Sequence, residues 1–165
     1  MIDLLLDSWD RQARIIDSLA GLVDGDVRSV KSSEDGWALD RHLAHIHQVR
    51  AGWLGTAMPD FQAKLGEVFV KDGDTYRVID DLDEVRNQLT LGAQVVREAA
   101  KIGLEKGGPF GPYDNALLFI QHMVWHEGYH AGLILLALRN AGREPTDMWE
   151  ENHIWELWRG PEVWE

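Results

Sequence analysis

Six of the seven histidines fall in two short windows, His42, His45 and His47 in one and His122, His126 and His130 in the other. Imidazole is a neutral nitrogen ligand for zinc, nickel and similar divalent ions, so this clustering points first to metal chemistry. On a helix, residues four apart share a face with Cβ atoms about 5–6 Å apart, and His126 and His130 can turn two imidazoles onto one ion. His122 and His126 have the same spacing. Together the three span about 12 Å of helix axis, so one ion takes only one pair, and spacing leaves both pairs open. A third ligand must come from another element.

The same stretch reads His126-Glu127-Gly128-Tyr129-His130, the H-E-x-x-H helix of zinc proteases, and Glu150 lies downstream at a spacing suited to a third glutamate ligand. Such proteases hold their peptide on the edge strand of a sheet beside that helix. Little of this chain reads as strand, and a five-residue match also arises by chance. Glu127 lies about 100° round the helix from His126 and about 60° from His130, at the rim of such a site. It can be a solvated residue, an acceptor for a ligand's ring N–H or a catalytic base, in that order of expectation.

Composition removes several alternatives. The 165 residues contain no cysteine, which excludes a thiolate zinc site, an iron–sulfur cluster, a disulfide scaffold and a cysteine nucleophile. With 16 basic against 28 acidic residues the net charge is −12, which leaves no basic face for phosphates, so nucleic acid and anionic membranes are poor partners. No leader pattern opens the chain and no apolar run reaches about eighteen residues, so a cytoplasmic protein is expected.

The elements that must position the histidines follow from apolar spacing. Ile2, Leu5, Leu6, Trp9, Ala13, Ile16, Leu19, Ala20 and Val23 recur at three- and four-residue steps and predict a first helix from about Asp3 to Val23. Leu39, Leu43, Ile46, Trp53, Leu54 and Ala57 predict a second, from about Ala38 to Met58, stopped by Pro59. From Asp60 to Asp80 a long connection is expected, with a small hairpin about Asp72-Gly73. Asp81 with Glu84 has capping-box spacing and opens a third helix that ends near Lys106-Gly107-Gly108-Pro109. Asp114 is the expected cap of a fourth helix reaching about Asn140, with Gly142 as its stop signal, and Thr146 of a fifth to about Trp158. The joins after the first and third helices are short, whereas roughly twenty residues separate the second and third, enough to return about 30 Å along a bundle. The expectation is an all-α, single-domain four-helix bundle in up-down-down-up order, with a short C-terminal fifth helix.

Trp37 before the second helix, His42-Leu-Ala-His45-Ile46 within it, and Trp125-His126-x-x-x-His130-Ala-Gly132 with Leu138-Arg139-x-x-Gly142 on the fourth resemble the DinB/YfiT-like superfamily. The resemblance runs from the first helix to Gly142. It implies an up-down-down-up bundle and, in many members, a divalent ion on three histidines. Those ligands map to His45, His126 and His130. It also implies a metal-dependent enzyme, since some members are thiol-dependent transferases or isomerases. Three neutral ligands leave the ion its full charge, so a bound water or thiol would be acidified. Zinc or nickel is the expected ion and a small molecule the expected substrate, with a thiol from outside the chain as co-reactant and metal-assisted hydrolysis close behind. Glu127 is the candidate catalytic residue.

The other aromatic and histidine residues have plainer expectations. His47 and His153 read as surface residues, His42 and His122 as partners behind the ligands or boundary residues, and Tyr129 as packing. Four of the eight tryptophans, Trp149, Trp155, Trp158 and Trp164, lie in the tail. Trp149, Trp155 and Trp158 suggest a flap over the bundle or the contact of a homodimer. The competing reading is a non-enzymatic helical protein whose tail makes that contact.

Overall fold

The computed structural model describes residues 1–159. In chain order its elements are α1 (Ile2–Gly21), α2 (Leu39–Ala57), the single turn α3 (Pro59–Gln62), strands β1 (Phe69–Asp72) and β2 (Thr75–Val78), α4 (Leu82–Lys106), α5 (Ala116–Asn140), the single turn α6 (Asp147–Glu150), and a π-helical turn over Glu151–Trp155.

Local chemistry sets the ends. The Asp81 carboxylate accepts the Asp83 and Glu84 N–H groups at 3.0 and 3.1 Å and starts α4, while Glu84 bonds Gln88 in place of closing the box. Gly107, at φ 70°, ends the same helix in a conformation that costs glycine little. The cap of α5 is Asn115 and not Asp114: its side chain accepts the Leu118 N–H at 3.0 Å, because the first helical residue is Ala116. Thr146 caps α6 through the Trp149 N–H at 3.2 Å. The fifth helix is shorter than its apolar pattern suggested, since α geometry gives way to the π turn at Glu151. Between β1 and β2, Phe69 pairs with Val78 and Asp72 with Thr75, so Gly73-Asp74 forms a two-residue turn with Gly73 at φ 59°.

Contacts between helices fix their directions. Trp9 Nε1 donates to the Ala93 carbonyl and Arg86 Nε to that of Ala20, so α1 and α4 are antiparallel. Arg50 donates to the Leu89 carbonyl, and farther along Ala57 lines one cavity with Ile102 and Gly103, so α2 and α4 run parallel. Arg50 meets Glu127 and His42 meets His130, which sets α5 antiparallel to α2. The order is up-down-down-up, as the loop lengths required. Among the described residues, no helix is long and apolar enough to cross a membrane.

The core forms two apolar clusters, one around Ile16, Leu19, Leu43, Ile46, Leu89 and Ile134, the other around Trp9, Leu54, Val96, Phe119, Ile120 and Met123. On α1, α2 and α5 buried polar residues lie between the two, among them Gln12, Arg50 and Glu127. Arg50 Nε donates to Glu127 Oε1 at 2.7 Å, with both side chains 1% exposed. Gln12 Nε2 lies 3.4 Å from Glu127 Oε2, and Arg50 Nη1 donates to the Leu89 carbonyl at 2.6 Å. The guanidinium carbon stands 5.2 Å from the Trp9 ring centre, so an aromatic face also meets its charge. All four long helices thus meet in one ionic layer.

His47 departs from expectation. It is buried, and its ring nitrogens face the Gly66 and Gln88 carbonyls at 2.8 and 3.0 Å, tying the long connection to α4. The spacing carried that signal: Leu43, His47, Arg50 and Leu54 are four, three and four residues apart and share one helix face.

Candidate metal centre

α2 delivers His45, and α5 delivers His126 and His130 one turn apart. Nε2 of His126 lies 3.2 Å from Nε2 of His45 and 3.2 Å from Nε2 of His130. One ligand atom from each of the three lies within 4.8 Å of the others. Two nitrogens at about 2.0–2.1 Å from a tetrahedral zinc ion stand about 3.3 Å apart, so the spacing fits a divalent ion at their focus. The donor set fits as well, because all three rings are held neutral. Burial, then the neighbouring imidazoles, brings His126 to a pKa of about 4 and His130 to about 3. Burial also lowers that of His45, with a Gln48 hydrogen bond opposing and the Arg41 charge adding to the shift.

Neighbours orient the rings. His42, buried behind His130, places its Nδ1 2.8 Å from Nδ1 of that ring. A His130 whose Nε2 lone pair faces the focus carries its proton on Nδ1 and donates it to His42. Nε2 of His42 and Nδ1 of His126 are buried and make no hydrogen bond among the described residues. Trp37 roofs the cluster, edge-on to His45 at 4.9 Å between ring centres and stacked on His130 at 6.0 Å. Its indole separates two cavities. One, of about 250 Å³, is lined by Ser32, Trp37, His42, Tyr129, His130 and Leu133 among others. The second, of about 170 Å³, is lined by Trp37, Arg41, His45, Gln48, Phe69 and Tyr76.

Other sequence candidates lie elsewhere. His122 turns Nδ1 to the Tyr113 hydroxyl at 2.7 Å and is not in the cluster that His45, His126 and His130 form. Burial pushes the Tyr113 phenol up to about 12. Glu127 is neither solvated nor at the rim: its carboxylate is locked to Arg50 in the core. Glu150 is not part of the histidine cluster, and the two-stranded hairpin is the only sheet among the described residues, so the third ligand and the larger sheet that the protease reading calls for are not seen among them. His153 is half-buried, stacked on Trp149 at 4.4 Å with Nδ1 2.8 Å from its carbonyl, and is not a free surface residue. Tyr129 is 59% exposed and sets its ring edge against His130, so it borders the site and does not pack the core. Trp149 packs on the core, whereas Trp155 and Trp158 are half exposed, and Arg11 ties the tail to α1 through the Leu157 carbonyl. Trp164 lies outside the described residues. Sequence reasoning missed Arg50 entirely, although its place on the Leu43–Leu54 face was visible.

An up-down-down-up bundle with three imidazoles converging from its second and fourth long helices defines a class of metal-associated helical proteins. The DinB family model matches residues 1–159, and the chain belongs to that family. No curated protein and no solved structure matches it.

Proposed function

We propose that this protein is a metal-dependent enzyme of the transferase or hydrolase type, with His45, His126 and His130 as ligands of a zinc or nickel ion. The observation that carries the reading is the convergence of three Nε2 atoms from two helices, 3.2 Å between neighbours, between two cavities. Bound there, the ion supplies Lewis acidity, under which a coordinated water or thiol ionises near neutral pH. The chain's own residues bind and orient. Three rings fill three positions and leave the cavity side to substrate. His42 and Gln48 fix two of the rings, and the Trp37 indole keeps bulk water off the imidazoles. Because the chain has no cysteine, the thiol of a transfer reaction arrives as a separate small molecule. Glu127 positions His126 by anchoring α5 to α2 through Arg50, a role its buried ion pair supports better than proton transfer. The protein works in the cytoplasm on small molecules, as a homodimer, without nucleic acid or membrane partners.

Elemental analysis of protein purified without added metal tests the reading. About one ion per chain is expected. His45→Ala should lower occupancy by more than about tenfold, the least that loss of even an outer-shell partner typically costs, with the helical circular dichroism unchanged. Glu150→Gln should bind as wild type does. Turnover of candidate thiols and electrophiles should stop on chelation. An empty wild-type site, full occupancy in His45→Ala, or turnover that survives complete metal removal overturns the proposal.

A further inference from the structure

We infer that the substrate of this centre carries a carboxylate and that Arg41 binds it in the cavity between Trp37 and the hairpin. The inference rests on the metal reading above and adds the charge of the ligand to it. His45 and Arg41 share the walls of the 170 Å³ cavity, with Phe69 and Tyr76 of the hairpin closing the far side. At about 30 Å³ per water, that is room for five or six waters, or for the short end of a small molecule. A ligand filling it has the metal position at one side and a guanidinium at another.

The charges select the ligand. In the adjoining groove Arg28 is paired with Asp40 and Arg77 with Asp80, so those cations are already matched. Arg41 forms no ion pair among the described residues. Its guanidinium carbon sits 5.1 Å over the Trp37 ring, a stack that occupies the flat face and leaves the edge N–H groups free. The centre itself holds no carboxylate. Its three ligands are neutral, and Glu127, the acid on the ligand helix, is neutralised by Arg50. With a divalent ion in place, the local charge is positive and unmatched, in a chain whose net charge is −12. A partly buried excess of one sign favours a ligand of the other. One free two-pronged donor matches one carboxylate. A phosphate dianion would call on a further cation, and the neighbouring arginines are taken.

Two hydroxamates of matched length test this in the cobalt(II)-loaded protein: succinic acid monohydroxamate, which ends in a carboxylate, and butyrohydroxamate, which ends in a methyl group. Dissociation constants are read from the visible cobalt spectrum. The wild type should bind the carboxylate probe at least about tenfold more tightly, the worth of a charge-assisted hydrogen bond. Arg41→Gln should lose most of that preference, keeping only what the ion's own charge supplies, while taking up cobalt as the wild type does, and Arg41→Lys should keep a larger part of it. Arg41 is exposed, so these variants should fold, which circular dichroism checks. If cobalt binds and the wild type does not discriminate, or Arg41→Gln keeps most of the preference, the carboxylate inference is overturned and the metal reading stands. If cobalt does not bind the wild type, the metal reading fails and this inference with it.

Discussion

At His126 and His130 the same burial that makes the rings good ligands also makes them acid-sensitive. Their pKa values of about 4 and about 3 lie below the roughly 6.5 of an unfolded histidine. Between those values the unfolded chain binds protons that the folded chain refuses. Their contribution to stability is therefore complete above about pH 6.5 and is lost as pH falls toward 4 and then 3. Melting temperatures of the metal-free protein should fall through that window, and the fall should shrink in His130→Asn. Histidine NMR of the metal-free protein should show the His126 and His130 rings neutral from pH 7 to 5, since both titrate lower; midpoints near pH 6.5 for these two would mean exposed, ordinary imidazoles. Legibility at this scale depended on residue type. His45, His126 and His130 stand out by clustering and by resemblance. The burial of His47 did not, because a histidine's usual place at a surface outweighed its position on the Leu43–Leu54 face.

Among the elements, the ionic layer decides how α2 and α5 sit against each other. Removing one partner leaves a buried charge uncompensated, so Glu127→Gln or Arg50→Met alone should cost about 3–5 kcal/mol in urea unfolding. The double variant Arg50→Met/Glu127→Leu should recover most of that loss, since an apolar pair of similar volume restores neutrality. If the single variants melt like wild type, the layer is not the anchor assigned to it. Helix positions and order were readable from apolar period and loop length, and the hairpin from alternation about Gly73. The π turn was not readable: its widened geometry sits where Ile154 reaches the core and Arg11 holds the tail, contacts between segments far apart in sequence. The one-residue error at the α5 cap has a simpler origin, since Asp114 and Asn115 are both good caps and only the backbone chooses between them.

For the whole molecule, the question is what covers the outer face of α5. Leu118, Trp125, Tyr129 and Leu136 repeat at seven, four and seven residues and form one stripe, exposed at 45%, 76%, 59% and 43%. Gly132 lies on the same stripe with open space where a Cβ would stand. The homodimer expected from the tail tryptophans gains a second apolar surface here. Sedimentation equilibrium should give a dimer mass, and Trp125→Glu should shift it toward monomer with the helical signal intact. A wild-type mass that stays monomeric at every concentration rejects the dimer.

His45 and His126 are 81 residues apart in the chain. An ion shared between them closes that stretch into a loop, as a disulfide does, and for a disulfide loop of that size the chain-entropy model gives about 4–5 kcal/mol. With such an ion bound, a protein without a single cysteine would have a cross-link of its own, reversible by a chelator in place of a reductant. It can form only after both halves of the chain have left the ribosome.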